Sequence, residues 1–175
     1  MTGAAQQASA AGRGARIRPL ERAAEAPFCA RLMSTSDPWI TLGRPYEAGL
    51  RILLDPTREV YVYEQDERIR GFIILVLTGA FIGYIQTVCV APEARGEGIG
   101  TRLVEFAETR TAAVAPTVFL TVSSFNGRAR ALYERLGYTV IGELRDYLVE
   151  GHSEVLMWKR NSTWKDFVPT SAPPM

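Results

Sequence analysis

Residues 88–106 read VCVAPEARGEGIGTRLVEF, and this stretch decides the fold. An apolar, β-branched run ends at Pro92, and three glycines follow at positions 96, 98 and 100. Apolar residues then recur at helical spacing at Ile99, Leu103 and Ala107. The pattern predicts a strand, a glycine loop and a helix. Because the first N–H groups of a helix lack intrahelical partners and glycines let a ligand approach the backbone, it also predicts an anion-binding site.

The glycine spacing narrows the kind of anion site. A dinucleotide fingerprint would follow a first strand with G-x-G-x-x-G, whereas here Thr101 takes the place of the third glycine and the loop lies halfway along the chain. A Walker A loop, which ends in Gly-Lys after a four-residue spacer, is absent. For this stretch alone, an ordinary flexible connection between strand and helix stays open.

The composition bounds the class of protein. With 175 residues, 47% hydrophobic and 22% charged, the chain is expected to form one globular domain. A net charge of +1 argues against a nucleic-acid binder, and two distant cysteines with one histidine argue against a disulfide framework or a metal site. The start lacks the apolar segment of a secretory signal, and residues 71–84, the most apolar run, are too short to cross a membrane. We therefore expect a cytoplasmic protein with no metal and no membrane partner.

Both ends of the chain are expected to be tails. Residues 1–14 are rich in Ala, Gly and Gln without periodicity, and residues 161–175 end in a proline-rich run. Between them, residues 15–160 are predicted to form one mixed α/β domain of the α+β type, because strands outnumber helices and include adjacent hairpins. Strands are predicted at 17–20, 60–63, 69–77, 83–90, 117–122, 138–144 and 154–158, and helices at 21–33, 46–54, a segment ending near 112, and 128–136.

A second motif follows the buried strand at residues 117–122. Residues 123–138 read SSFNGRARALYERLGY, with Asn126 before a helix that carries Ala129, Tyr133 and Leu136 on one stripe. Together with RGEGIGT before it, this motif resembles the GNAT superfamily of N-acetyltransferases. Its pattern is nearest to the N-terminal α-amino acetyltransferases that act on ribosomal proteins. The resemblance is strong from about 69 to 160, weaker from 15 to 68, and absent from the tails.

The resemblance implies a fold and a cosubstrate. Members of the superfamily build a central, mostly antiparallel sheet that splays open at an acetyl-CoA cleft, flanked by about four helices. The pantetheine arm would pair with a free strand edge, and the loop N–H groups would hold the pyrophosphate. By resemblance, the coenzyme-binding residues are Val88, Cys89, Val90, Arg95, Gly96, Glu97, Gly98, Ile99, Gly100, Thr101, Asn126 and Ala129.

The resemblance also implies catalytic roles. Tyr133 matches the family position that protonates the departing thiolate, whereas a lone tyrosine on an apolar helix stripe is usually a core residue. Thr121 stands where the ribosomal-protein group has a glutamate, so either the base lies elsewhere or water relays the proton to bulk solvent. Glu154 and His152 lie on the same face of the last predicted strand, and this face is directed toward either the cleft or solvent. Glu154 is the candidate base. Cys89 lies in a β-run without a nearby histidine and is expected to be a buried hydrophobe.

The acceptor side rests on fewer residues. Trp39, in the loop between the first two helices, and Tyr147 are the candidate substrate-binding residues, with Asp37 and Asp146 beside them. The predicted function is direct transfer of an acetyl group from acetyl-CoA to a primary amine, which is a protein N-terminus, a lysine or a small amine. A homodimer is compatible with this pattern. A non-catalytic coenzyme A-binding regulatory domain and a nucleotide-binding oxidoreductase stay open as alternatives.

Overall fold

A computed structural model describes residues 14–170 of the chain. This range contains seven strands and four α-helices, with one turn of 3₁₀ helix at Pro92–Ala94. The strands are β1 (Arg16–Pro19), β2 (Glu59–Gln65), β3 (Arg68–Val76), β4 (Tyr84–Val90), β5 (Thr117–Ser123), β6 (Thr139–Val149) and β7 (His152–Arg160). The helices are α1 (Arg22–Ser34), α2 (Tyr46–Leu54), α3 (Ile99–Thr111) and α4 (Gly127–Arg135).

These strands form a single seven-stranded sheet in the order β1-β2-β3-β4-β5-β7-β6. Neighbouring strands run antiparallel, with the exception of the parallel pair β4 and β5. The connection between these two strands contains α3, as a parallel pair requires a crossover. The predicted mixed α/β fold, with a mostly antiparallel sheet and four helices, is confirmed.

The sheet opens between β4 and β5. β4 carries an extra residue, Gln86, at the point where its pairing with β3 slips by one residue. A bulge of this kind bends a strand and increases its local twist. The parallel pairing of β4 with β5 is confined to Tyr84 and Ile85, so within residues 14–170 no strand pairs with residues 86–90 on that edge. The splayed cleft expected from the resemblance therefore begins at the bulge.

The hydrophobic core lies on both faces of β3. Four consecutive residues of this strand, 72–75, are fully buried, which requires cover on both faces because successive side chains alternate. Helix α3 packs on β3 and β4 and buries Leu103, Val104 and Ala107 there. Because the central strands are packed on both faces, they form a rigid support for the cleft beside β4.

The predicted element boundaries lie within a few residues of the observed ones, except at β6. This strand was expected to end at residue 144 and continues to Val149 through an irregular segment. Asp146 adopts a φ of 51° there, and its carboxylate accepts the N–H of Gly151 at 2.7 Å. This side-chain contact ties the irregular segment to the β6–β7 turn. The continuation of β6 could not be predicted from the sequence, because residues 145–147 break the alternation of apolar and polar residues expected of a strand.

The predicted tails, residues 1–14 and 161–175, fall mostly on parts of the chain that the structure does not describe. Residues 1–13 and 171–175 are outside the described residues. The described start of the C-terminal segment contacts the domain, since the N–H of Asn161 donates to the carbonyl of Pro116 at 2.9 Å. The tail boundaries stay predictions. Between residues 14 and 170 no helix has both the length and the apolar character that crossing a bilayer requires.

Candidate functional site

Two adjoining cavities open along the free edge of β4. The first, of about 360 Å³, is bordered by the end of β4, the loop at 95–98 and α4, and we call it the glycine-loop cavity. The second, of about 310 Å³, lies between β4, β5, β7 and the loop after α1, and we call it the Glu154 cavity. Both volumes fall in the range of small-ligand sites. The two cavities have five lining residues in common and form one cleft; the shared residues are Asp37, Val88, Asn126, Ala129 and Tyr133.

The glycine-loop cavity collects the residues that the resemblance assigned to coenzyme A, with one exception. Its lining comprises Asp37, Val88, Cys89, Val90, Ala94, Arg95, Gly96, Gly98, Ile99, Gly100, Thr101, Asn126, Arg128, Ala129, Leu132, Tyr133 and Arg135. The exception is Glu97, whose carboxylate turns away and lies 3.5 Å from the guanidinium of Arg70. The loop therefore presents its backbone to the cavity without the negative charge of that side chain.

The N-terminus of α3 borders one end of this cavity. Gly98 is the N-cap residue with a left-handed φ of 80°, and Gly96 has a φ of 93°. No side chain caps the helix, and its first turn contains no acidic residue. The first N–H groups of α3 therefore point out of the helix without a side-chain partner, and the helix dipole adds partial positive charge at the same place. This geometry suits a phosphate group.

Basic side chains surround the same cavity. Arg95, Arg128 and Arg135 line it, while Asp37 is the one acid among its lining residues in the described chain. The sequence analysis had included Arg95 and missed the other two arginines. A signal for them existed, because Arg128, Leu132 and Arg135 follow each other at i, i+4 and i+7 and so share one face of α4.

Asn126 links the two cavities and also caps α4. Its side-chain oxygen accepts the N–H of Ala129 at 3.2 Å, which is the ordinary role of an N-cap residue. The side-chain NH₂ takes no part in that bond, and both cavities reach this residue. Asn126 can therefore hold the helix through its oxygen and donate to a ligand through its nitrogen.

The free edge of β4 presents backbone groups at alternate residues. The N–H of Ala91 donates to the carbonyl of Arg70 on the β3 side, and hydrogen-bonding direction alternates along a strand. Cys89 therefore also faces β3, whereas Val88 and Val90 direct their N–H and C=O groups into the cleft. The bond from Arg95 Nε to the carbonyl of Val90, at 3.2 Å, fits this assignment. An extended chain in the cleft would find backbone partners at these two valines.

Cys89 has the environment of a core residue. Its side chain is buried, and burial raises the pKa of the thiol to about 12. At neutral pH the thiol is therefore protonated and a poor nucleophile. The environment agrees with the expectation from the sequence.

Tyr133 lies where the two cavities meet. Its ring packs edge-on against Tyr138, with 5.8 Å between ring centroids, and 8% of the residue stays exposed. The N–H of Tyr138 donates back to the Tyr133 carbonyl at 3.0 Å, which closes the end of α4 around the ring. Burial, with a smaller contribution from Tyr84, raises the pKa of the Tyr133 hydroxyl well above its usual value. The hydroxyl therefore keeps its proton at neutral pH and is available as a donor.

Glu154 is a buried carboxyl at the floor of the second cavity. It is 3% exposed and accepts the hydroxyl of Ser123 at 2.5 Å, across the β5–β7 pairing. Burial raises the pKa of Glu154, and hydrogen bonds from Ser123 and Thr121 offset part of that rise. Thr121 is also 2.9 Å from the hydroxyl of Tyr84. A carboxyl group with a raised pKa thus lies beside Thr121, the position where a glutamate was missing from β5.

The remaining acceptor-side candidates divide into two groups. Trp39 and Tyr147 line the Glu154 cavity, as does Asp37, and Arg44 joins them although the sequence analysis had not considered it. Asp146 and His152 do not line either cavity. The Asp146 carboxylate accepts a hydrogen bond from the N–H of Gly151 in the β6–β7 turn. The ring of His152 packs against Phe125, with 5.1 Å between the ring centroids.

The fold and the cleft define an α/β protein with a split sheet that can hold a phosphate-bearing ligand between two diverging strands. The particular family follows from comparison with known proteins. The model of the acetyltransferase (GNAT) family matches residues 23–138, and the chain belongs to this family. The resemblance inferred from the two sequence motifs is confirmed.

Curated relatives match over a limited part of their length. A 5-NmdU N-acetyltransferase of Pseudomonas phage PaMx11 is 39% identical over 85 residues, which cover 48% of this chain and 59% of the relative. An uncharacterized N-acetyltransferase of Methanocaldococcus jannaschii is 34% identical over 107 residues, covering 60% and 68%. A peptidyl-lysine N-acetyltransferase of Salmonella typhimurium is 36% identical over 83 residues, covering 47% and 50%. The chain spans about half to two thirds of the length of these relatives.

Solved structures share the whole fold at low sequence identity. The ribosomal-protein-S18-alanine N-acetyltransferase from Escherichia coli superposes with a TM-score of 0.69 and 20% identity, covering 88% of this chain and 98% of that one. An aminoglycoside 6'-N-acetyltransferase complexed with coenzyme A gives a TM-score of 0.68 with 16% identity, covering 85% and 98%. Acetyl-CoA is the cosubstrate that this fold uses. The described residues contain no cluster of His, Cys, Asp and Glu that could hold a metal ion.

The glycine loop generates a test of coenzyme binding. We expect Gly98→Ala to weaken acetyl-CoA binding by at least about tenfold, because a side chain at a left-handed φ costs roughly 1–2 kcal/mol and shifts the N–H groups that line the cavity. Isothermal calorimetry with acetyl-CoA measures the effect.

Gly79→Ala is the matched control for this variant. Gly79 has a φ of 86° and open space around its Cβ position, as Gly98 does, but it lines neither cavity. Both variants should lose similar stability, whereas only Gly98→Ala should lose affinity. A folded Gly98→Ala protein with unchanged affinity would contradict the assignment of the loop.

Proposed function

We propose that the protein is an acetyl-CoA-dependent N-acetyltransferase that transfers the acetyl group directly to a primary amine. The observation that carries this proposal is the junction of two cavities at Tyr133. One cavity ends at the uncapped N-terminus of α3, which suits a pyrophosphate, and the other ends at a buried carboxyl group with a raised pKa. Bound acetyl-CoA would supply an activated acyl group and a thiolate that needs a proton.

Tyr133 is the proposed general acid. Tyr133 lines both cavities, and its hydroxyl is protonated at neutral pH and has no hydrogen-bond partner among residues 14–170 that would compete for its proton. A proton donor at this point can neutralise the developing thiolate. The ring is held by Tyr138, so the hydroxyl needs no reorganisation to act.

Glu154 is the proposed general base. An amine enters as an ammonium ion and must lose a proton before it can attack a carbonyl carbon. A carboxyl group whose pKa is raised by burial is a better proton acceptor than an ordinary surface glutamate, and it fills the role left vacant by Thr121 on β5. The hydroxyl of Ser123 orients it.

The acceptor class and the assembly belong to this proposal as well. The curated relatives carry names that refer to 5-NmdU and to peptidyl-lysine, and the fold neighbours include a ribosomal-protein-S18-alanine N-acetyltransferase. We keep a protein N-terminus, a lysine and a small amine as candidate acceptors. A cytoplasmic location and a homodimer stay predictions from the sequence.

Release of free coenzyme A from acetyl-CoA tests the function. We expect thiol release to depend on an added amine when N-terminal peptides, lysine peptides and small amines are supplied in parallel, because Tyr133 and Glu154 together provide both proton transfers. A non-catalytic coenzyme A-binding regulatory domain is the alternative. It would bind acetyl-CoA in calorimetry and release no thiol above the amine-free rate with any acceptor.

Tyr133→Phe tests the acid. We expect kcat to fall about 10²-fold, the lower end for a lost general acid, while the affinity for acetyl-CoA and the melting temperature stay close to wild type. The phenylalanine ring keeps the contact with Tyr138, so the packing is preserved. Steady-state kinetics with a chemistry-limited acceptor measures the change. An unchanged kcat combined with lowered stability would assign Tyr133 to the core alone.

Glu154→Gln tests the base through its pH dependence. In the wild type, kcat/KM should rise as pH increases through the raised pKa of Glu154, since the ionised form accepts the proton. The variant should lose this limb and fall by about 10²-fold or more at neutral pH. A variant that keeps both the limb and the rate would remove Glu154 from the mechanism.

The pH dependence of the free energy of unfolding provides a second, independent test of Glu154→Gln, and the direction of the effect can be predicted. Because the folded pKa of Glu154 lies above its unfolded value of about 4.3, the native state holds the proton longer. The wild-type free energy of unfolding therefore falls as pH rises through the window between the two values. Glu154→Gln should not show that fall, and at pH 7 it should be at least as stable as the wild type in denaturant titration.

A further inference from the structure

The Glu154 cavity contains a guanidinium that the proposed reaction does not use. Arg44 lines this cavity, is half-buried, and lies over the ring of Trp39, with its guanidinium carbon 4.3 Å from the ring centroid. A guanidinium in contact with an aromatic ring still has N–H donors free for another partner. Trp39 is itself buried and gives Arg44 a fixed support.

Arg44 has no acidic partner and, in the described part of the chain, is the one arginine that lines the Glu154 cavity. Arg18, Arg58, Arg70 and Arg110 each form an ion pair with a carboxylate. Within residues 14–170, no carboxylate forms an ion pair with Arg44 and its side chain makes no hydrogen bond. The nearest acids of the cavity are otherwise engaged, since Asp37 accepts the N–H and hydroxyl of Thr41 and Glu154 accepts Ser123.

The loop that carries Arg44 is held in place by its own backbone. The N–H of Arg44 donates to the carbonyl of Trp39 at 3.0 Å, and the N–H of Leu42 donates to the carbonyl of Pro38 at 2.9 Å. The positive charge also reaches the catalytic end of the cavity, because Arg44 lowers the pKa of both Glu154 and Tyr84. The guanidinium is therefore positioned before any ligand binds, which reduces the entropy lost on binding.

We infer that Arg44 forms an anion subsite that selects an acceptor carrying a carboxylate or a phosphate on the same molecule as its reactive amine. The amine would lie toward Glu154 and the junction at Tyr133, and the anionic group would lie in the plane of the Arg44 donors. A planar guanidinium suits either anion, because both accept two parallel hydrogen bonds. This inference rests on the proposed function, since it names the acceptor of that reaction.

Matched acceptor pairs test the subsite. Glycine, glycylglycine and triglycine are each compared with their C-terminal amides, which covers several separations between amine and carboxylate. 2-Aminoethyl phosphate is compared with ethanolamine, which distinguishes a phosphate from a carboxylate. Coenzyme A release gives kcat/KM for each acceptor with the wild type and with Arg44→Gln.

For each pair, the ratio of kcat/KM for the acid to kcat/KM for the amide is measured with the wild type and with Arg44→Gln. The wild-type ratio is then divided by the variant ratio. The two amines of a pair differ in pKa, but this difference affects both ratios equally and cancels in the quotient. We expect this quotient to be about 10- to 100-fold for at least one pair, the effect of one charge-assisted contact. Arg44→Lys should keep part of the preference. Arg31→Gln is the matched control, since Arg31 also lies over an aromatic ring, Tyr46, but lines neither cavity. A quotient of one for every pair would overturn the subsite.

A binding measurement separates failure of the subsite from failure of the proposed function. Calorimetry with the protein saturated in coenzyme A compares N-acetylglycylglycine with its amide. We expect tighter binding of the acid by at least about tenfold, lost in Arg44→Gln. If no amine releases coenzyme A while this difference persists, the proposed function is wrong and the anion subsite stands. If neutral amides are acetylated and the acid binds no better than the amide, the subsite is wrong and the function stands.

Discussion

The bulge at Gln86 is the constraint on which the rest of the structure depends. It bends β4 away from β5 after only two paired residues and leaves one edge of β4 open inside the sheet. Unpaired backbone groups inside a protein are costly, so such an edge persists where a ligand or solvent can satisfy it. The parity of the strand assigns the open groups to Val88 and Val90. The glycine loop begins just beyond this edge, so an extended ligand that pairs with β4 would reach the N-terminus of α3.

The two arms of the cleft differ in electrostatic character. The glycine-loop cavity combines helix N–H groups with Arg95, Arg128 and Arg135, and is suited to phosphate. The Glu154 cavity instead holds a carboxyl group whose burial is offset by hydroxyls and not by a direct ion pair. That arrangement keeps the carboxyl pKa raised. Tyr133, with a hydroxyl that stays protonated, lies between the two arms.

Most of the fold could be predicted from the sequence, as could the residues that line the glycine-loop cavity, because both depend on local patterns. The glycine loop, the strand before it and the cap at Asn126 are each encoded within a few residues. The surroundings of the proposed base were harder to predict. Glu154 is buried because β7 pairs with β5, which brings it into contact with Ser123. The two residues are 31 positions apart in the sequence, so no local pattern indicates this contact. Arg44 was missed for a similar reason, since its role depends on stacking on Trp39 and on the absence of a partner.

Hydrogen exchange at single amides of β4 tests the central claim, that acetyl-CoA adds to the free edge of this strand as an extended chain. Exchange is measured by NMR at residues 88–90, with and without saturating acetyl-CoA. The account predicts that the Val88 and Val90 amides exchange readily in the free protein and become protected when the ligand binds. The Cys89 amide should be protected in both states, since it faces β3. Saturation with acetyl-CoA that leaves exchange at Val88 and Val90 unchanged would contradict the account.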